Sequence, residues 1–218
     1  MTVFGNSEQW LDLLESLVPD IVSLILDAWV TMPTIEPDAK EDPVSEELCR
    51  KLRAMRTLSE LPLQVQTQLV ELESAGDADQ GRIDIVFVPL VPDEAIYFAL
   101  ECKRINVLQA NGKVRRYFAE YVTQGLTRFV TGQYSYAVRH GGMLAFVLDG
   151  DLESATEGIL NNILANREIL GMDRTEIQNS RFAPDDPRLR ETIHARTVAA
   201  GNVLVQHFFM PAAVPTTE

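Results

Sequence analysis

The stretch GRIDIVFVPLVPDEAIYFALECKRIN, residues 81–106, sets charge inside what otherwise reads as a buried hairpin. Asp84 interrupts the apolar run Ile83 to Val88, and Glu101 and Lys103 close the run Ile96 to Leu100 with one cysteine between them. The connection LVPDEA is short enough to join antiparallel strands. Folded symmetrically about Pro92 and Asp93, the hairpin sets Asp84 opposite Glu101, with β-carbons roughly 5 Å apart on one face. Lys103 projects to that same face because side chains alternate along a strand, whereas Cys102 points the other way, into the core. Two carboxylates so close repel, and in apolar surroundings one is driven neutral unless a cation lies between them. Mg²⁺, for which Mn²⁺ can substitute, is held by one or two carboxylates plus water and phosphate oxygens. A neighbouring ammonium can then orient water or stabilise charge building on a phosphate. The plain alternative is a structural ion pair between Glu101 and Lys103 at the end of a strand.

Outward from the hairpin, the periodicities give a consistent frame. Residues 7–31 read as a helix carrying Trp10, Leu13, Leu14, Leu17, Ile21, Leu24 and Ile25 at helical spacing, with a kink or break expected at Pro19. Trp10 and Trp29 are expected to anchor this N-terminal region to the rest of the domain or to a second subunit. After a Pro-rich acidic loop, DPVSEELCRKLRAM reads as a helix start, with Asp42 as N-cap, Pro43 as first helical residue and Glu46 and Glu47 in an acidic first turn. Strands are expected at 63–73, 82–89 and 96–103, then a helix over RRYFAEYVTQGLTRFVTGQ, a strand over GGMLAFVLDG, a helix at 151–171 and a strand over NVLVQHFFMP. That order implies an α/β fold with a central mixed sheet flanked by helices. Residues 1–41 read as an N-terminal helical extension and acidic loop, and residues 42–218 as the main domain.

These residues resemble the PD-(D/E)XK nuclease superfamily, whose restriction-endonuclease-like core runs helix, three strands, helix, strand, as residues 42 to 149 are expected to do. GRIDIVFV and YFALECKRIN carry the resemblance: Asp84 stands at the motif aspartate, Glu101 at the second acidic position and Lys103 at the motif lysine. Ile83 replaces the proline that usually precedes the aspartate. The resemblance implies a Mg²⁺-dependent nuclease that hydrolyses phosphodiester bonds of DNA, with Asp84 and Glu101 as metal ligands. It also implies a further glutamate from the first core helix, for which Glu46 and Glu47 are the candidates and Glu47 the choice. A polar residue from the following helix is expected beside the site, and Gln124 is selected, although the family's Gln-x-x-x-Tyr order is absent because Arg128 stands four residues on. A non-catalytic nuclease fold serving as an interaction or assembly module is the competing reading. Between the two lies the cleavage subunit of a defence or restriction-type system, homodimeric or dependent on a protein partner for specificity.

Charge distribution adds a separate observation. The 218-residue chain has a formal charge of −13, which argues against an indiscriminate nucleic-acid coat. Yet from Lys103 to His140 seven Lys or Arg residues face one acid, Glu120, for a local charge of +6. Arg104, Lys113, Arg115, Arg116 and Arg128 are therefore candidate phosphate-backbone contacts; a helix face docked on the acidic N-terminal half accounts for the same pattern. DNA is preferred to RNA only through the resemblance, since both carry the same linkage. On the helix, Tyr117, Glu120, Tyr121, Gln124 and Arg128 share one broad face, the tyrosines being expected in the core. His194, Arg196 and His207 are polar outliers read mainly as structural. The longest apolar run, Ile21 to Leu26 with its flanks, is too short to span a bilayer. Two cysteines outside any ligand spacing, and no legible signal peptide, set the expectation of a cytoplasmic location.

Overall fold

A computed structural model describes residues 5–70, 82–172, 177–196 and 201–212. Helix α1 (Ser7–Val30) is followed by α2 (Glu41–Leu58), then β1 (Leu63–Val70), β2 (Arg82–Pro89) and β3 (Phe98–Ile105). A small hairpin of β4 (Val107–Leu108) and β5 (Val114–Arg115) leads to α3, which comprises Phe118–Glu120, a π-helical Tyr121–Leu126 and Thr127–Val130. Then come β6 (His140–Val147), α4 (Leu152–Ala165), β7 (Gln178–Asn179), β8 (Leu189–His194) and β9 (Val203–Pro211). Seven strands form one mixed sheet in the order β1-β2-β3-β6-β9-β8-β7. β6 runs parallel to β3 and β9, and the remaining pairs are antiparallel. The chain is thus an α/β protein with a large mixed central sheet flanked by helices.

Each sheet face carries its own core. One buries Ile85, Phe87, Phe98, Leu100, Cys102, Leu144 and Phe146 under α1 and α2. The other buries Val86, Ala99, Ile105, Met143, Ala145 and Phe209 under α3 and α4. The odd–even alternation puts Asp84, Glu101 and Lys103 on the α3 side and Cys102 opposite. Trp29 stacks on Phe146 with ring centroids 5.6 Å apart and donates its indole N–H to the Pro211 carbonyl at 3.0 Å, so α1 is locked into the core it shares with α2.

Several boundaries differ from those read in the sequence, for identifiable reasons. The helix runs unbroken through Pro19. Pro19 lies on the exposed face, while Leu17, Val18, Ile21 and Val22 are buried on both sides of it. The hydrogen bond that the proline removes therefore falls toward water, and core packing carries the helix across. α2 begins at Glu41, with Lys40 rather than Asp42 as N-cap. Pro43 is accommodated in the first turn because the N–H groups there have no intrahelical partner. β3 begins at Phe98, two residues late, because Asp93 holds the turn: its Oδ1 accepts from Ala95 N at 3.1 Å and its carbonyl from Ile96 N at 3.2 Å. The first strand is described to Val70, and its expected continuation to residue 73 lies outside the described residues. α4 ends at Ala165 rather than 171, and β8, not expected from the sequence, extends the sheet beyond β9.

The buried histidines form a closed network. Tyr121 Oη lies 2.9 Å from His207 Nδ1, His207 Nε2 2.7 Å from Thr192 Oγ1, Thr192 Oγ1 2.6 Å from His194 Nε2, and His194 Nδ1 2.8 Å from the Leu170 carbonyl. The carbonyl can only accept, so His194 carries its proton on Nδ1 and Thr192 donates to Nε2. His207 must then donate from Nε2, and Tyr121 donates to its Nδ1. Desolvation pushes the His194 imidazole down to about 4; desolvation, with His194 adding to it, pushes His207 to about 3. Both rings are expected to stay neutral, in these tautomers, down to pH 5. Imidazole ¹⁵N shifts check this, and protonation of either ring near its ordinary pH of about 6.5 would contradict the network. Arg196, also buried, donates to the carbonyls of Gly201, Ser135 and Val138 at 2.7–3.0 Å and ties the loop holding Ser135 and Val138 to Gly201. The surroundings of His194, Arg196 and His207 fit the structural reading of all three.

Candidate active site

The hairpin register matches the symmetric expectation. Ile85 pairs with Leu100, Val86 with Ala99 and Phe87 with Phe98. The ladder stops there, and Asp84 and Glu101 stand just beyond its last pair. Where a continued ladder would bond the Cys102 N–H to the backbone of β2, that N–H donates instead to Asp84 Oδ2 at 2.7 Å. The strands part at this point, and the gap is the floor of a cleft of about 820 Å³. Asp84, Glu101, Lys103, Gln124 and Arg128 all line it.

Within the cleft, Glu101 is almost wholly buried, at 1% exposure. Its Oε1 accepts from Lys103 Nζ and from Arg128 Nη1, both at 2.8 Å. Its Oε2 is buried and has no hydrogen-bond partner among the described residues. Desolvation raises the Glu101 carboxyl above its ordinary range, and the charges of Lys103 and Arg128 offset only part of that rise. Desolvation, then the charge of Glu101, pushes Asp84 up to about 7, against the opposing pull of Lys103 and the Cys102 N–H. Lys103 uses three donors, to Glu101 at 2.8 Å, Glu41 Oε1 at 2.9 Å and the Cys102 carbonyl at 2.8 Å. Desolvation alone would lower its pKa, but Glu101, Glu41 and Asp84 together hold it above the usual lysine value. It is an ammonium at neutral pH, suited to stabilising negative charge or donating a proton and unsuited to abstracting one.

Glu47, chosen as the third carboxylate, does not reach the cleft. It pairs with Arg50 and, at 3.6 Å, with Lys51 on the outer face of α2. Glu46 is exposed and pairs with the same Arg50. Glu41, at the start of α2, lines the cleft instead: its Oε1 meets Lys103, and its Oε2 accepts the backbone N–H of Arg104 at 3.1 Å. The signal for it was the period of α2 itself. Ser45, Leu48 and Leu52 are buried on one face, and stepping back one turn along that face gives residue 41 and not 46 or 47.

The basic residues divide. Arg104 braces the cleft wall, donating to the Ala39 carbonyl at 3.2 Å and to Tyr117 Oη at 3.3 Å. Arg115 pairs with Glu120 at 2.8 Å and lies 4.2 Å from the Tyr117 ring centroid. Arg139 meets Glu15 at 3.5 Å, so part of the positive stretch does dock onto the acidic N-terminal half. Lys113 and Arg116 are exposed. Gln124 is exposed on the cleft wall. Tyr121 is fully buried, as expected, and Tyr117 half-buried. At Gly125 a β-carbon would collide with the end of the Met143 side chain and lie 3.6 Å from Glu101 Cγ, so the glycine leaves room for Met143 beneath the π-helical turn. Such turns are frequent at functional sites.

A divalent cation can be tested against these groups. Among the described residues, no three His, Cys, Asp or Glu side chains converge as a preformed metal cage. Two carboxylates, one desolvated and coupled to the other and one with a buried free oxygen, do suit an ion that takes one or two carboxylates and completes its shell with water. Asp84 and Glu101 therefore fit the group, with Glu41 held back by Lys103 and the Arg104 N–H. No helix among the described residues is long and apolar enough to cross a membrane. Comparison with protein-family models, with curated proteins and with solved structures finds no match.

Proposed function

We propose that the protein is a metal-dependent nuclease of the PD-(D/E)XK type, hydrolysing phosphodiester bonds of DNA. The observation that carries this reading is the buried free Oε2 of Glu101 beside an Asp84 whose ionised form is disfavoured, with a protonated lysine on the same floor. The order α2, β1, β2, β3, α3, β6, with the parallel β3–β6 pair, supports a restriction-endonuclease-like core. Asp84 and Glu101 would hold Mg²⁺ or Mn²⁺, which supplies charge neutralisation at the phosphate and acidifies water. Lys103 stabilises the charge that develops on the phosphate as a water oxygen bonds to phosphorus and the bond to the leaving sugar oxygen breaks. Gln124, exposed on the cleft wall, would orient water or substrate, and the exposed Lys113 and Arg116 would meet the backbone of the strand. A supply of sequence specificity by a second copy or another protein, as in a defence or restriction-type system, belongs to the same proposal.

One observation favours the alternative, a nuclease fold kept as an interaction module: all three Lys103 donors are already paired within the site. Incubation with plasmid, linear and single-stranded DNA and with RNA, in Mg²⁺ or Mn²⁺, separates the two. Cleavage abolished by a chelator is expected, and no cleavage of any substrate in either metal favours the module. Binding is expected to weaken steeply with salt, and a Lys113, Arg115 and Arg116 triple alanine variant to flatten the salt slope by about one unit per lost phosphate contact. An unchanged slope would show that these residues do not contact the phosphate backbone.

A further inference from the structure

Where β2 and β3 part, one chain of side chains crosses the gap. Arg128 Nη1 donates to Glu101 Oε1 on β3 at 2.8 Å and to Tyr134 Oη at 2.6 Å. Tyr134 Oη in turn donates to the carbonyl of Arg82 on β2 at 2.9 Å, two residues before Asp84. The arginine and the tyrosine are tied to each other again by the Tyr134 N–H to the Arg128 carbonyl at 3.0 Å, and the guanidinium lies 5.3 Å from the tyrosine ring centroid. The ring is fully buried and packs edge-on against Phe129. This is costly apparatus for an ion pair alone, since a planar guanidinium and a buried hydroxyl both impose directions on their partners.

We propose that Arg128 and Tyr134 form a single strut that positions the two metal-binding carboxylates, engaging Oε1 of Glu101 so that Oε2 remains the ligating atom and holding Asp84 at a set distance across the gap. The inference rests on the nuclease reading of the cleft and deepens it. Neither residue touches the metal or the substrate in this role; both act through the carboxylates. Partners that orient a ligand in this way commonly contribute 10–100-fold in metal affinity.

Calorimetric titration with Mn²⁺ of the wild type, Tyr134→Phe, Arg128→Lys and the double variant tests it, beside melting curves of the metal-free proteins. Both single substitutions keep the formal charge, and phenylalanine keeps the ring packing. Each is expected to weaken Mn²⁺ binding about tenfold, with the melting temperature within a few degrees of wild type. The double variant is expected to be no weaker than the worse single one, because a strut cut twice is still one cut strut. Unchanged affinity in both single variants, or losses that multiply in the double variant, would overturn the strut while leaving the nuclease reading standing. Absence of Mn²⁺ binding by the wild type would overturn the nuclease reading and the strut together.

Discussion

Lys103→Ala is expected to lower phosphodiester cleavage by two or more orders of magnitude while the cleft still takes up Mn²⁺. The size follows from the loss of a charge-stabilising or proton-donating group next to the reacting phosphate. Metal uptake persists because Lys103 binds Oε1 of Glu101 and not the free Oε2. Removing a positive charge from beside Asp84, Glu101 and Glu41 also removes a repulsion toward the incoming cation, so the affinity holds or rises slightly. Arg128 remains on Oε1 to orient the carboxylate. Steady-state cleavage rates and Mn²⁺ titration of the same preparation check both halves. Loss of metal together with activity would make the lysine a structural partner of Glu101 rather than part of the chemistry.

Asp84→Asn is expected to raise the stability of the metal-free protein at high pH, by a margin that Mn²⁺ reduces. In the metal-free protein the folded-state carboxyl titrates at about 7, against about 4 in an unfolded chain. Below pH 4 the group is neutral in both states and has no effect. As pH rises from about 4 to about 7 the unfolded chain gives up its proton first, and folding is penalised progressively, by about 4 kcal/mol at the top of the window. Asparagine removes that penalty and can still accept from the Cys102 N–H. The variant should therefore melt several degrees above wild type at pH 8 without metal and at the same temperature near pH 4. Mn²⁺ at a hundred times the wild-type Kd narrows the gap, because it adds about 2.7 kcal/mol to wild type and only about 1.4 kcal/mol to a variant that binds tenfold more weakly. Melting curves at the two pH values, with and without Mn²⁺, read all four states. A metal-free variant less stable than wild type at pH 8 would show that the Asp84 charge is satisfied within the fold.

The hairpin was legible because its signals agree. Acidic residues interrupting apolar strands, a short turn and strict alternation place Asp84, Glu101 and Lys103 on one face in one register, and Ile85 to Phe87 pair accordingly with Leu100 to Phe98. Helix identity was legible too, whereas helix limits were not. Pro19 breaks a helix only if the lost hydrogen bond cannot be met by water, and which face it occupies depends on tertiary packing. Glu41 was missed in favour of Glu47 because the helix start was assigned to Asp42, which rotated the acidic turn away from the buried face. Arg128 was read as a phosphate contact; its bonds to Glu101 and Tyr134 join residues 27 and 6 positions away, and no local pattern encodes such a meeting. β8 escaped because LRETIH mixes charged and apolar residues, and its inward Glu191 is tolerable through Arg181, which bonds it at 2.8 Å, and Gln206, which donates to it at 3.1 Å.

The most direct test of a metal site between Asp84 and Glu101 is calorimetric titration of Mn²⁺ into wild-type protein and into Asp84→Asn at pH 8. Wild type should bind the ion in the cleft, and the variant, deprived of an anionic ligand, should bind it at least tenfold more weakly. Equal affinity in the two proteins would contradict the metal site, and with it the nuclease.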